Sequence, residues 1–171
     1  MENFLHEKKE KRGINKILVV ALLVAAVLVA GGVWLLTFLP TAEQQQQAQM
    51  TGAVYEGAPE FDAYTKNIVI TTDLDHTSES PIGLGTIQMS IHGDLRNRGS
   101  KTINLLELSV GVIDTKNQIV KEKKIIVIPT LQTETLAPND TMKVFATLDG
   151  FTSKDDRANV RWKVTAIRFA Q

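Results

Sequence analysis

The segment Thr86-Ile-Gln-Met-Ser-Ile-His-Gly-Asp-Leu95 decides the fold, because apolar and polar residues alternate along it. Successive side chains of a β-strand point to opposite faces, so such a segment has one apolar face and one polar face. The apolar face carries Ile87, Met89, Ile91 and Leu95. This pattern is typical of a strand that covers a core on one side only.

Similar alternation or short apolar runs recur on both sides of this segment. They cover residues 68–72 before it and residues 106–112, 119–128, 142–148 and 160–166 after it. Turn-forming residues separate the runs at intervals of roughly 8–12 residues, and no helical pattern lies between them. We therefore predict an all-β domain, an antiparallel β-sandwich of about seven strands.

The last strand supplies the largest candidate core residue. Trp162 shares a face with Val160 and Val164, so we expect it to lie buried between the two sheets. Ile167 and Phe169 then break the alternation, which predicts a bulge or a twist near the end of the strand.

The middle of the 119–128 strand carries the charged run Lys121-Glu122-Lys123-Lys124. Charges of this kind commonly protect an exposed sheet edge from pairing with another chain. The alternative is a patch that contacts a protein partner, in which Lys121, Lys123 and Lys124 would supply the contact. The polar segment 151–158 is predicted to be a loop and is a second candidate contact surface.

Three segments together resemble the FxLYD-type domains of bacterial envelope proteins. Gly93-Asp-Leu-Arg-Asn-Arg-Gly99 resembles their G-x-x-x-N-x-G start, residues 108–120 resemble their central strand–turn–strand, and residues 136–145 resemble their L-x-P-G…F segment. Ile113 stands where these domains usually carry an aromatic residue, and Asn139 stands where they carry glycine. The resemblance covers roughly residues 64–169 and implies an immunoglobulin-like sandwich without a known activity.

Residues 17–39 form an apolar run without a charged residue. At about 1.5 Å per residue a helix here would extend roughly 34 Å, enough to cross a hydrocarbon core of about 30 Å. A cleaved secretory signal is the alternative, although its apolar region would be shorter. Basic residues precede the run and none follows it before Lys66, which predicts a cytoplasmic N-terminus.

The predicted organisation is therefore a cytoplasmic tail (1–16), one transmembrane helix (17–39), a flexible linker (40–65) and an extracytoplasmic domain (66–171). With the bacterial resemblance, this predicts a protein of the bacterial inner (cell) membrane whose C-terminal domain is periplasmic or extracellular. The partners expected are the membrane and a protein in or near it.

The residues from position 66 onward suggest no chemistry. They carry 14 Lys and Arg against 12 Asp and Glu, a balance unlike that of a nucleic-acid-binding surface. The chain has no Cys, which excludes thiol nucleophiles and disulfides. Asp73, Asp75 and His76 could approach a hard cation, but no further ligands follow and a solvated loop is the alternative. We predict no catalytic, cofactor-binding or metal-ligating residue and no small-molecule substrate.

The sequence thus predicts a non-catalytic, membrane-anchored envelope protein whose β-sandwich mediates protein interaction or assembly. The alternative is an accessory subunit of a larger membrane complex, in which the transmembrane helix packs on partner subunits.

Overall fold

The computed structural model describes residues 16–38, 41–83, 85–129 and 135–170, which divide into two compact units at Met50. The first unit contains α1 (Lys16–Phe38) and α2 (Ala42–Gln49). Thr41 and Gln44 begin α2 with reciprocal side-chain to backbone hydrogen bonds, a capping box. Over the described residues, no helix has the length and apolar character that a membrane span needs. Residues 1–15, 39 and 40, which the sequence analysis placed in the tail, the membrane helix and the linker, lie outside the described residues.

The second unit consists of two antiparallel sheets and one short helix. One sheet has the strand order β1-β7-β4-β5 and the other the order β2-β3-β6. Its elements are β1 (Val54–Tyr55), α3 (Pro59–Thr65), β2 (Ile68–Gly83), β3 (Thr86–Asn97), β4 (Ile103–Ile113), β5 (Ile119–Ile128), β6 (Thr141–Thr152) and β7 (Asn159–Phe169). The prediction of two antiparallel sheets with about seven strands is confirmed.

The predicted alternation of buried and less buried residues is confirmed for β3. On β4 the apolar face is buried as predicted, but the polar face is buried too. Met89, Ile91 and Leu95 are buried on one face of β3, as predicted. The buried polar face of β4 includes Glu107 and Ser109. The reason is the position of β4 in the sheet, where β7 and β5 flank it on both sides. Their side chains supply the hydrogen-bond partners that buried polar groups require.

The segment assigned to the linker is ordered into secondary structure, and its second part belongs to the β domain. Pro59 begins α3, a position that suits proline because its missing N–H has no helical partner there. The helix buries Phe61 and Tyr64 against the main core cluster. Two aromatic side chains that pack on the sheets thus bring residues 50–65 into the folded domain.

β2 continues well past residue 72, where the sequence analysis ended it. An irregularity between Asp73 and Ser78 interrupts the pairing with β3, after which the two strands pair again up to a tight turn. Gly83 and Gly85 have positive φ values at this turn, a conformation that glycine adopts without cost. The extension carries polar residues on both faces because it lies at the sheet edge in contact with solvent.

Asn97 is fully buried at the end of β3 and connects four parts of the domain. Its amide nitrogen donates to three backbone carbonyls, those of Lys101 at 2.9 Å, Leu136 at 3.3 Å and Ala137 at 3.2 Å. Its side-chain oxygen accepts from the Tyr64 hydroxyl at 3.1 Å and from the Gly99 N–H at 2.9 Å. This network explains the Gly93–Gly99 motif as a structural feature.

Trp162 lies between the sheets and contacts both core clusters, although it is only partly buried. Its indole Nε1 donates to the Thr72 hydroxyl of β2 at 3.0 Å. The ring lies over Gly93 of β3, where an added Cβ would stand 3.2 Å from Trp162 Cζ2 and 3.0 Å from the Thr71 carbonyl oxygen. The predicted bulge is present as well, since the β4–β7 register shifts at Thr165.

We expect Asn97→Ala to lower the free energy of unfolding by about 2–4 kcal/mol, because several buried polar groups lose their partner at once. Tyr64→Phe removes only the hydroxyl and should cost about 1–2 kcal/mol. Denaturant unfolding of the full chain in detergent, with Trp34→Phe in every variant so that fluorescence reports Trp162 alone, measures both values. Arg96→Ala, at an exposed neighbouring position, is the control. An Asn97→Ala variant as stable as the control would contradict a stabilising role for the network.

Gly93→Ala should destabilise the domain by about 1–3 kcal/mol, because the new methyl group would stand closer than ordinary van der Waals distance to the Trp162 ring and to the Thr71 carbonyl, whose backbone is fixed by the β2–β3 pairing. Gly111→Ala is the matched control, since a Cβ there would meet its nearest atom at an ordinary 3.6 Å. Combining Gly93→Ala with Trp162→Phe should cost less than the sum of the two single changes. Strict additivity in this double-mutant cycle would mean that the two residues do not interact.

Candidate interaction surfaces

One side of the sandwich is open between β2 and β7. A groove of about 800 Å³ runs along this side, lined by both strands and by Phe61 and Asp62 of α3. Its walls carry a row of partly buried apolar side chains, Ile68 and Ile70 from β2 and Val160, Trp162 and Val164 from β7. Polar and charged side chains, among them Asp62, Asn117 and Arg161, also line the groove, which is open to solvent.

Strand edges border this groove on both sides. β2 is the outer strand of its sheet, and on the other side β7 has only the two-residue β1 beside it. The pairs Val54–Ile167 and Tyr55–Ala166 make up this contact. Among the described strands, none pairs with that side of β7 between Asn159 and Thr165.

The outer face of β7 at the groove is basic. Arg161 and Lys163 are exposed and alternate with the apolar residues of the strand. Lys163 Nζ lies 2.7 Å from a carboxylate oxygen of Glu56, the residue that follows β1. Arg161 donates to the side-chain oxygen of Asn117 at 2.9 Å. The sequence analysis missed these groove residues because strand order, which leaves this edge open, cannot be deduced from alternation within one strand.

The predicted contact residues Lys121, Lys123 and Lys124 lie on β5, which is an edge strand as the charge pattern indicated. The structure divides them between two faces. In register, Lys121 and Lys123 lie opposite the buried Val112 and Val110, so they share the core-facing side. Lys124 lies on the other face and is exposed.

The two core-facing lysines, Lys121 and Lys123, extend from β5 toward β6, the edge strand of the other sheet. Lys123 Nζ donates to the Thr147 carbonyl of β6 at 3.0 Å. Lys121 Nζ lies 5.7 Å from the centre of the Phe151 ring, within the range of a cation–π contact. Inward-pointing charges of this kind discourage pairing at a sheet edge, because a second strand would have to desolvate them.

The segment 151–158, the second candidate contact surface, is only partly a loop. β6 continues to Thr152, and Phe151, which was predicted to begin the loop, is fully buried in the core. Phe151 lies on the same buried face of β6 as Ala146 and Leu148, because the register of β6 against β3 shifts between Leu148 and Phe151. Arg157 fixes the remaining loop to β2 with two hydrogen bonds to the Glu79 carboxylate at 2.9 and 3.0 Å.

A polar cluster occupies the outer face of the β2-β3-β6 sheet. His76 Nδ1 lies 2.8 Å from the Asp73 carboxylate, and this hydrogen bond is the main cause that lowers the pKa of Asp73. Asp94 hydrogen bonds to Lys143 and raises the pKa of that lysine. Within the described residues, no group of three or more ligand-type side chains could hold a metal ion. Asp73 and His76 lie at the irregularity of β2, where the His76 side chain is 73% exposed to solvent.

We expect Lys123→Val to promote association of the full chain, because it removes a charge that blocks pairing along β5. Lys124→Val is the matched control, since it makes the same change one residue along on the opposite face. Light scattering coupled to size-exclusion chromatography in detergent, over a range of concentrations, measures the effect. Equal behaviour of the two variants would show that the core-facing lysine does not protect the edge.

Comparisons with known proteins find similarity only among solved structures. No family description and no curated protein matches the chain, so the resemblance to FxLYD-type domains is not confirmed.

A Bordetella pertussis protein assigned as ApaA shares 13% identity over 48% of this chain and 66% of its own, with a TM-score of 0.34. A DUF1425 family member from Shewanella shares 12% identity over 57% of this chain and 75% of its own, with a TM-score of 0.30. A family 2 β-glucuronidase shares 12% identity over 57% of this chain and 9% of its own, with a TM-score of 0.35. At such low identities and TM-scores these similarities say nothing about function.

Proposed function

We propose that this protein is a non-catalytic interaction module, a β-sandwich that binds a protein partner and is held at the bacterial cell membrane by α1. The observation that carries the proposal is the open groove between β2 and β7, where apolar side chains meet unpaired strand edges. Isolated apolar residues are ordinary on protein surfaces, but a continuous apolar row beside a free strand edge is suited to binding another polypeptide.

The anchoring part of the proposal rests on the sequence. Residues 17–39 carry no charge, and α1 begins at Lys16 and continues to Phe38. The uncharged run also includes Leu39, which lies outside the described residues. The basic residues before the run support a cytoplasmic N-terminus, and with it a sandwich in the periplasm or outside the cell.

The fold type is also part of the proposal. In an immunoglobulin-like sandwich two antiparallel sheets face each other and split consecutive strands between them. The orders β2-β3-β6 and β7-β4-β5 fit that division, which supports an immunoglobulin-like assignment. A fold of this type hosts many binding functions, so the partner has to be argued from the surface and not from the fold.

Photo-crosslinking in native membranes tests the function. A crosslinking residue is placed at Arg161 on the groove, at Lys124 on β5 or at Phe145 on the outer face of β6, all of them exposed in the structure. We expect at least one position to yield a discrete, reproducible band with another protein. Solubilisation in mild detergent then separates the two forms of the proposal, because an accessory subunit would migrate with a larger complex. No band from any position would contradict a binding function.

A further inference from the structure

We propose that the groove binds an extended segment of the partner protein, which adds a strand to β7 in line with β1. The segment would alternate apolar residues, which face the groove, with acidic residues, which face outward beside Arg161 and Lys163. The inference rests on the proposed binding function and names the class of ligand that it would take.

The first support is the backbone of β7. The Val160 N–H donates to the side-chain oxygen of Asn159 at 2.8 Å, so it does not point toward β4. Backbone groups alternate between the two sides of an antiparallel strand. The N–H and C=O groups of Trp162 and Val164 therefore face the same free edge. They offer an added strand the hydrogen-bonding row that strand addition uses.

The second support is the apolar wall beneath that edge. Val160, Trp162 and Val164 are only partly buried, as are Ile68 and Ile70 across the groove. In a strand added beside β7, every second side chain would point to the same face of the sheet as Val160, Trp162 and Val164, because successive side chains of a strand point to opposite faces. Apolar side chains at every second position of the ligand would complete this side of the core.

The third support is the charge along the outer face. Glu56 follows β1, the short strand that already pairs with β7, and its carboxylate contacts Lys163 at 2.7 Å. The chain itself thus shows an acidic residue beside this row of basic ones. Opposite charges on neighbouring strands stabilise their pairing, and like charges oppose it. The outward positions of the ligand should accordingly be Asp or Glu.

Two synthetic peptides of about eight residues test the inference, one alternating valine with glutamate and the other alternating valine with lysine. The protein is the full chain in detergent with Trp34→Phe, so that Trp162 is its only tryptophan. We expect saturable changes in Trp162 fluorescence with the Val–Glu peptide and roughly fivefold weaker binding of the Val–Lys peptide. Proline at the middle position of the Val–Glu peptide should abolish binding, because it removes a backbone donor and distorts the strand.

Charge reversal on the protein tests whether Arg161 and Lys163 set the preference for acidic peptides. Arg161→Glu with Lys163→Glu should reverse the preference, so that the Val–Lys peptide binds better. Both residues are exposed, and circular dichroism checks that the sheets persist. Lys121→Glu with Lys124→Glu, on the opposite edge, is the control and should change nothing. An unchanged preference after reversal, or no binding of the Val–Glu peptide at all, would overturn the inference.

The two proposals fail in distinguishable ways. If native membranes give crosslinks from Lys124 or Phe145 but none from Arg161, the binding function stands and the groove is not its site. If the chain forms dimers without peptide and Arg161→Glu with Lys163→Glu abolishes them, the occupant is a second copy of this chain and not a partner segment. This second result would also overturn the inference.

Discussion

The buried side chain of Asn97 is the constraint on which the rest of the domain depends. A primary amide offers two donor hydrogens and one acceptor oxygen, and here the oxygen accepts twice while the nitrogen contacts three carbonyls. Its partners come from α3, from the turn after β3 and from the segment before β6. A polar group without partners at this depth would be costly, so the network admits one arrangement of these segments and excludes shifted ones.

The two open sides of the sandwich are treated in opposite ways. Between β5 and β6, Lys121 and Lys123 extend across the seam, and Lys123 bonds to a carbonyl of the facing strand. The groove between β2 and β7 is lined by Trp162 and its apolar neighbours, with Asp62, Arg161 and Lys163 also on its lining. Lys123 is exposed and Lys121 is partly buried, so the first side presents positive charge to an approaching strand, whereas the second combines apolar side chains with the unpaired edge of β7.

The periodicity of the sequence was sufficient to predict an all-β fold, but it did not predict which strands are neighbours. The apolar face of β3, the turn at residues 114–118 and the bulge near Thr165 all follow from local patterns, and each is present. The place of residues 50–65 in the domain depends on Tyr64 meeting Asn97, a contact between residues 33 positions apart. The groove depends on which strands are neighbours, and Glu107 is buried for the same reason. Alternation within a strand carries no information about its neighbours, so these features required the structure.

The closeness of Gly99 to Tyr64 has a consequence for how such sequences diverge. A Cβ at position 99 would overlap the Tyr64 hydroxyl oxygen, so a larger residue does not fit there while the tyrosine stays in place. Loss of the hydroxyl alone does not open enough space, because the Cβ would also overlap the ring carbon that carries the hydroxyl. Descendants of this sequence can therefore leave glycine at position 99 only after, or together with, the replacement of the aromatic ring at position 64. The two sites evolve as one unit, although one lies in a helix ahead of the sheets and the other in a turn between strands.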